Sequence, residues 1–82
     1  MRQQMTAGLD LKLQEMAARI RELREIVGLS QEEMARLTDV DLAEYQRCED
    51  GESDLNFAFI YRCAQAFGVD VTDIVEGSRP RL

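Results

Sequence analysis

The sequence predicts an all-α domain of five helices, and three observations predict it. Apolar residues recur at spacings of three and four from Leu13 onward, cap signatures open two short helices at Ser30 and Asp41, and no stretch alternates apolar with polar residues as a half-buried strand would. At 82 residues the chain is one domain, near the size at which a single core yields only a small net stability.

Residues 1–10 lack periodicity and contain Gly8, so they read as a loose arm ahead of a domain over 11–77. The first helix is expected from about Leu11, with Leu13, Met16, Ile20, Leu23 and Val27 as its apolar stripe and Gly28 as its stop. Ser30, with Glu33 three residues on, has the spacing of a capping box. A short second helix follows, with Met34, Ala35 and Leu37 on its apolar face. Thr38, Asp39 and Val40 form a corner, after which Asp41 and Glu44 repeat the cap spacing and open a third helix over about 41–50. Tyr45 and Cys48 lie on the buried side of that helix, and Gly51 ends it. Glu52, Ser53 and Asp54 make a polar loop, with Asp54 the expected cap of a fourth helix striped by Phe57, Ile60, Cys63, Ala64 and Phe67. After Gly68, the pair Asp70 and Asp73 caps a short fifth helix whose Val71, Ile74 and Val75 complete the core. Residues 78–82 read as a linker or tail, in a composition that suits connection to a further domain.

Composition narrows the function classes. The chain is 45% hydrophobic and 32% charged, a globular rather than a disordered balance. No apolar run reaches the roughly 18 residues of a membrane span, and none suits a secretory signal, so a cytoplasmic location is expected with no membrane partner. Without any histidine, and with Cys48 and Cys63 on the inward faces of separate helices, no metal site is expected and both thiols read as small core hydrophobes. Acid–base and nucleophilic catalysis lack their usual groups, and no Gly-rich phosphate loop is present, so the chain does not read as an enzyme and needs no cofactor.

The order of elements resembles the phage-repressor-like (Xre-type) helix-turn-helix domains. The resemblance runs from Met16 to Gly77 and is carried by RIRELREIVGLSQEEMA at 19–35, the Val40 corner, the E-x-G of Glu49 to Gly51, and AQAFGVDVTDIV at 64–75. It implies a lambda-repressor-like fold whose helices 2 and 3 form the helix-turn-helix. In that family the third helix lies in the major groove of double-stranded DNA and the second crosses the backbone. Carried over by position, Leu42, Ala43 and Arg47 fall at base-facing places, Gln46 reaches a base or a phosphate, and Gln31 matches a phosphate contact. Arg24 and Glu49 match a largely buried ion pair that pins the first helix to the third. The resemblance further implies a transcriptional regulator, a homodimer on a two-fold symmetric site, and a C-terminal sensor domain in the full-length protein.

Charge runs against this assignment. Between residues 39 and 54 stand Asp39, Asp41, Glu44, Glu49, Asp50, Glu52 and Asp54 against Arg47 alone, so that segment accounts for the whole formal charge of −6. Carboxylates at a DNA-facing surface oppose the counterion release that drives binding. Asp41 and Asp54 have capping roles and Glu49 the ion pair, whereas Glu44 and Glu52 have neither. Glu44 would suit the amino group of a cytosine. Arg2, Lys12, Arg19, Arg21 and Arg36 are the candidate bases for a flanking phosphate path, although a solvated helix face is the simpler reading. The alternative function is therefore a helix-turn-helix-shaped interaction or dimerisation module that sets its acidic third helix against a basic partner.

Overall fold

In the computed structural model the backbone is described for residues 2–77, and the side chains for residue 8 and residues 10–77. Five helices follow in order: α1 (Arg2–Val27), α2 (Gln31–Thr38), α3 (Leu42–Glu49), α4 (Phe57–Phe67) and α5 (Val71–Val75). No strand occurs among the described residues. The residues read as a linker, 78–82, lie outside them.

The first correction concerns α1, which begins at Arg2 instead of near Leu11. Residues 2–10 continue the helix and are not a loose arm. Gly8 in a helix interior costs about 1 kcal/mol relative to Ala, yet Arg, Gln, Met, Ala, Leu and Lys around it all rank among good helix formers. Amphipathic period was thus the wrong criterion for a segment whose helicity rests on propensity.

Helices α2 and α3 have eight residues each, well below the roughly 12–15 at which an isolated helix becomes marginally stable in water. Their ends and their packing must supply what length does not. Ser30 accepts from Glu33 N at 3.0 Å and Glu33 returns a carboxylate oxygen to Ser30 N at 2.8 Å, completing the capping box. Asp41 accepts from Glu44 N at 2.8 Å, but Glu44 does not reciprocate and turns to Cys48 instead. The corner between the helices turns on Asp39 at φ 64°, ψ 42°, a left-handed conformation. Val40 N there donates to Ala35 O at 3.0 Å, and the buried Thr38 hydroxyl donates to Met34 O at 2.7 Å.

All five helices contribute to one core. Ile20, Met34, Ala35, Tyr45, Cys48, Phe59, Ile60, Cys63, Ala64, Phe67 and Ile74 are buried together, with Met16, Leu23, Leu29, Val40 and Leu55 packed at the margin. Three residues expected in apolar stripes are exposed instead: Val27, Leu37 and Phe57 are 46%, 49% and 68% exposed. Phe57 occupies the first position of α4, and Phe59 takes the inward place. The α4 cap is Asn56, which accepts from Phe59 N at 2.8 Å, in place of the expected Asp54. Both residue types cap well; moving the cap two residues later lets Leu55 pack against the core. Asp70 N donates to the Asp73 carboxylate at 3.0 Å at the start of α5.

Two backbone positions make opposite predictions. Relieving the left-handed conformation in Asp39→Gly should raise unfolding stability by roughly 0.5–1 kcal/mol. Gly51 has φ 76°, and a Cβ there would stand 2.8 Å from the Gln14 amide. Gly51→Ala should lower stability by about 1–2 kcal/mol. Chemical denaturation midpoints at constant m-value measure both.

Candidate nucleic-acid interface

The geometry of the helix pair is set by one carboxylate. Glu49, in the last turn of α3, is 2% exposed, and every polar group that reaches it is a donor. Arg24 from α1 gives Nε to Oε2 at 2.6 Å and Nη2 to Oε1 at 3.3 Å. The Tyr45 hydroxyl, one turn back on α3, donates to Oε2 at 2.5 Å. Gln31, at the first position of α2, donates Nε2 to Oε1 at 3.0 Å. Arg24 Nη1 also donates to Leu29 O at 2.9 Å, so the same guanidinium holds the α1–α2 connection.

Burial opposes ionisation of Glu49, but the hydrogen bonds from Arg24, Tyr45 and Gln31 outweigh it and hold the carboxyl below its ordinary value. Bonding to Glu49 raises the Arg24 pKa further. Burial and the same carboxylate push the Tyr45 hydroxyl strongly upward, so it remains a donor. Through these bonds α1, α2 and α3 meet at one buried anion.

A second layer of polar contacts lies outside this centre. Gln46 Nε2 donates to Gln31 Oε1 at 3.1 Å, tying the outer flank of α3 to the start of α2. Arg21 pairs with Asp50 at 2.9 Å and lies 3.5 Å from Glu49 Oε1. Arg47 projects from α3 with its side chain 58% exposed; its Nε donates to Ser53 Oγ at 3.3 Å and lies 3.7 Å from Glu44 Oε1. The other Glu44 oxygen accepts from Cys48 Sγ at 3.7 Å. Burial first, and Glu44 second, push the Cys48 thiol up to about 11.

The candidate residues therefore separate into groups. Ala43, Gln46 and Arg47 are exposed on α3, whereas Leu42 and Glu44 are half-buried on its flanks. Glu44 is held along the helix by Arg47 and Cys48. Gln31 turns its amide nitrogen inward to Glu49. Of the candidate phosphate-path bases, Arg19 donates to Ile74 O at 2.6 Å and braces α1 against α5, and Arg21 is engaged with Asp50. Lys12 and Arg36 are exposed, and the Arg2 side chain lies outside the described residues.

Sequence reasoning missed Tyr45 as a partner of Glu49, although their spacing of four within a helix is a usable signal. It also missed the pairing of Gln31 with Gln46, the Arg21–Asp50 pair and the Arg19 brace. The last two join residues 29 and 55 positions apart and leave no local trace.

A helix-turn-helix held by a buried ion pair, with a short outward-facing second helix, defines the class. The chain belongs to the helix-turn-helix domain family, whose model matches residues 15–76. Among solved structures it is similar in fold to the clp gene regulator ClgR from Corynebacterium glutamicum, with a TM-score of 0.76 over 80% of this chain and 70% of that chain at 20% identity. No curated protein matches the sequence.

Because the Glu49 carboxyl protonates below its ordinary pKa of 4.5, its contribution to stability is complete above that value and is lost as pH falls through the folded value. Tyr45→Phe removes one of the donors that depress it. The variant should lose roughly 1.5–3 kcal/mol at neutral pH. Its acid-dependent loss, which starts at the unchanged unfolded-state value, should be smaller than in the native chain and complete at a higher pH, because the folded Glu49 value is less depressed. Denaturant titrations repeated between pH 3 and 7 compare the two profiles.

Proposed function

We propose that this chain is the DNA-binding domain of a transcription regulator, with α3 entering the major groove and α2 crossing the phosphate backbone. The observation that carries the reading is the division of α3 into two faces. Tyr45, Cys48 and Glu49 are buried and bonded inward, while Ala43, Gln46 and Arg47 are exposed on one side. A helix fixed on its inner face can present side chains to base edges at set positions, which is what direct readout requires. The adjacent start of α2 brings backbone N–H groups and Gln31 beside the same surface, a suitable environment for a phosphate. The domain acts as a homodimer on a two-fold symmetric site, with half-sites about one helical turn apart.

Local ion pairs reduce part of the acidic balance of this region. Asp50 is paired with Arg21, and Glu44 lies beside Arg47. Asp39, Glu52 and Asp54 are exposed and make no ion pair among the described residues. They weaken attraction to phosphate without touching the frame. Binding is therefore expected to be modest and steeply salt-dependent, with Arg47 the main attracting side chain on α3.

Those unpaired acids favour a second reading, in which the acidic surface meets a basic protein partner. The two readings respond oppositely to charge. For DNA, Arg47→Ala should weaken specific binding by roughly tenfold, and Glu52→Lys should strengthen it several-fold while steepening the slope of log affinity against log salt by about 1. For a basic partner, Glu52→Lys weakens binding and Arg47→Ala leaves it unchanged. Fluorescence anisotropy with sites selected from a random duplex library, at 50 mM and 200 mM salt, measures the DNA arm. Absence of DNA binding at the lower salt would overturn the DNA reading.

A further inference from the structure

The turn after α3 folds back over the last turn of that helix. Gly51 N donates to Cys48 O at 3.2 Å and Glu52 N to Arg47 O at 2.9 Å, with Gly51 in the left-handed conformation that such a helix end requires. From α1, Gln14 Nε2 donates to Gly51 O at 3.3 Å and braces the same turn. Ser53 is thereby set beside the Arg47 side chain, and its hydroxyl oxygen accepts from Arg47 Nε at 3.3 Å. Glu44, one turn earlier on α3, flanks that nitrogen at 3.7 Å. Ser53 is half-buried, whereas Glu52 and Asp54 on either side of it are exposed and form no ion pair with Arg47. The loop thus meets the guanidinium with its one neutral side chain, which holds the group without cancelling its charge.

The count of donors decides what remains for a ligand. A guanidinium carries five N–H groups, and Nε has only one of them. That one is taken by Ser53. The four on Nη1 and Nη2 have no partner among the described residues, and the side chain is more than half exposed. Arg47 therefore meets a ligand with its terminal pair of nitrogens while its inner nitrogen stays with the protein. An unrestrained arginine on a helix surface samples many rotamers, and freezing them on binding lowers affinity several-fold. Holding Nε in advance removes part of that loss.

We infer that Ser53 is a positioning residue for Arg47, holding the guanidinium by Nε before DNA arrives so that Arg47 engages DNA through Nη1 and Nη2. The contribution of Ser53 to binding then runs through Arg47 alone. The inference rests on the DNA-binding reading proposed above and gives the loop between α3 and α4 a part in it.

Two measurements test it, one on the free protein and one on the complex. In 1H–15N spectra of the free protein, the Arg47 Nε–H signal is identified as the one missing from Arg47→Ala. Its exchange with water should be several-fold faster in Ser53→Ala than in the native chain, and close to native in Ser53→Thr, which keeps the hydroxyl. On a duplex selected by the native chain, Ser53→Ala should weaken binding by roughly threefold and Ser53→Thr should restore it. In an Arg47→Ala background, Ser53→Ala should have no further effect. Unchanged Nε–H exchange in Ser53→Ala would overturn the inference. So would native affinity in that variant, or an equal loss from Ser53→Ala with Arg47 already removed, since the hydroxyl would then touch DNA directly. If the native chain binds no duplex at low salt, the DNA-binding reading fails and the inference falls with it; the other failures leave that reading intact.

Discussion

The structure depends on the bidentate contact between Arg24 and Glu49. Taking a carboxylate and a guanidinium out of water costs several kcal/mol per ion, and the attraction between them repays this only when the remaining hydrogen-bonding capacity is also satisfied. Tyr45 and Gln31 complete the set of donors around Glu49, and Leu29 O accepts from Arg24. No buried side-chain nitrogen or oxygen lacks a partner among the described residues. The pair is best understood as a device for geometric specificity. An apolar pair of similar volume would hold α1 near α3, but it would tolerate small slides and rotations that a fork of short directed bonds does not.

That distinction matters because the elements concerned are short. Helices α2 and α3 expose few apolar groups to the core, and Cys48 and Tyr45 are the only buried apolar side chains of α3. Two such contacts leave the rotation of the helix about its axis loosely specified. Glu49 supplies the missing constraint from the same face. Tyr45 serves both functions, since its ring packs against Phe59 at 5.9 Å between centroids while its hydroxyl reaches Glu49.

Much of this was legible in the sequence, and the reasons for the rest are physical. Helix number and order followed from apolar spacing and from caps, because those signals lie within a few residues of one another. Ser30 with Glu33 is an example in which both halves of the expected capping box are present. Asp54 and Asn56 show the limit, since each is a good cap and the choice was made by the packing of Leu55, which no local pattern reveals. Val27, Leu37 and Phe57 were misplaced for a related reason: an apolar residue at stripe spacing is buried only if another element arrives to cover it. The N-terminal part of α1 failed differently, because a helix can persist on propensity without an amphipathic face. At the site, the Arg24–Glu49 contact was expected from family resemblance, whereas Arg21 and Arg19 looked like free surface charge and are engaged with Asp50 and Ile74 O.

Frame and surface are consequently governed by different residues. The groups that fix α3 in place, Arg24, Gln31, Tyr45 and Glu49, are bonded through Glu49, and substitution of any one removes a hydrogen bond from a buried polar group. The outward groups Ala43 and Arg47, together with Glu52 in the following loop, touch the frame little, so their replacement changes charge and contact chemistry at small structural cost. A helix-turn-helix built this way can hold a constant geometry while its outer face varies widely in charge. This explains how a chain of net charge −6 retains the fold of a family whose outer face is suited to a polyanion. Gln46 is the exception that joins the two sets, being exposed yet bonded to Gln31, so the geometry fixed at Glu49 extends to a side chain at the surface.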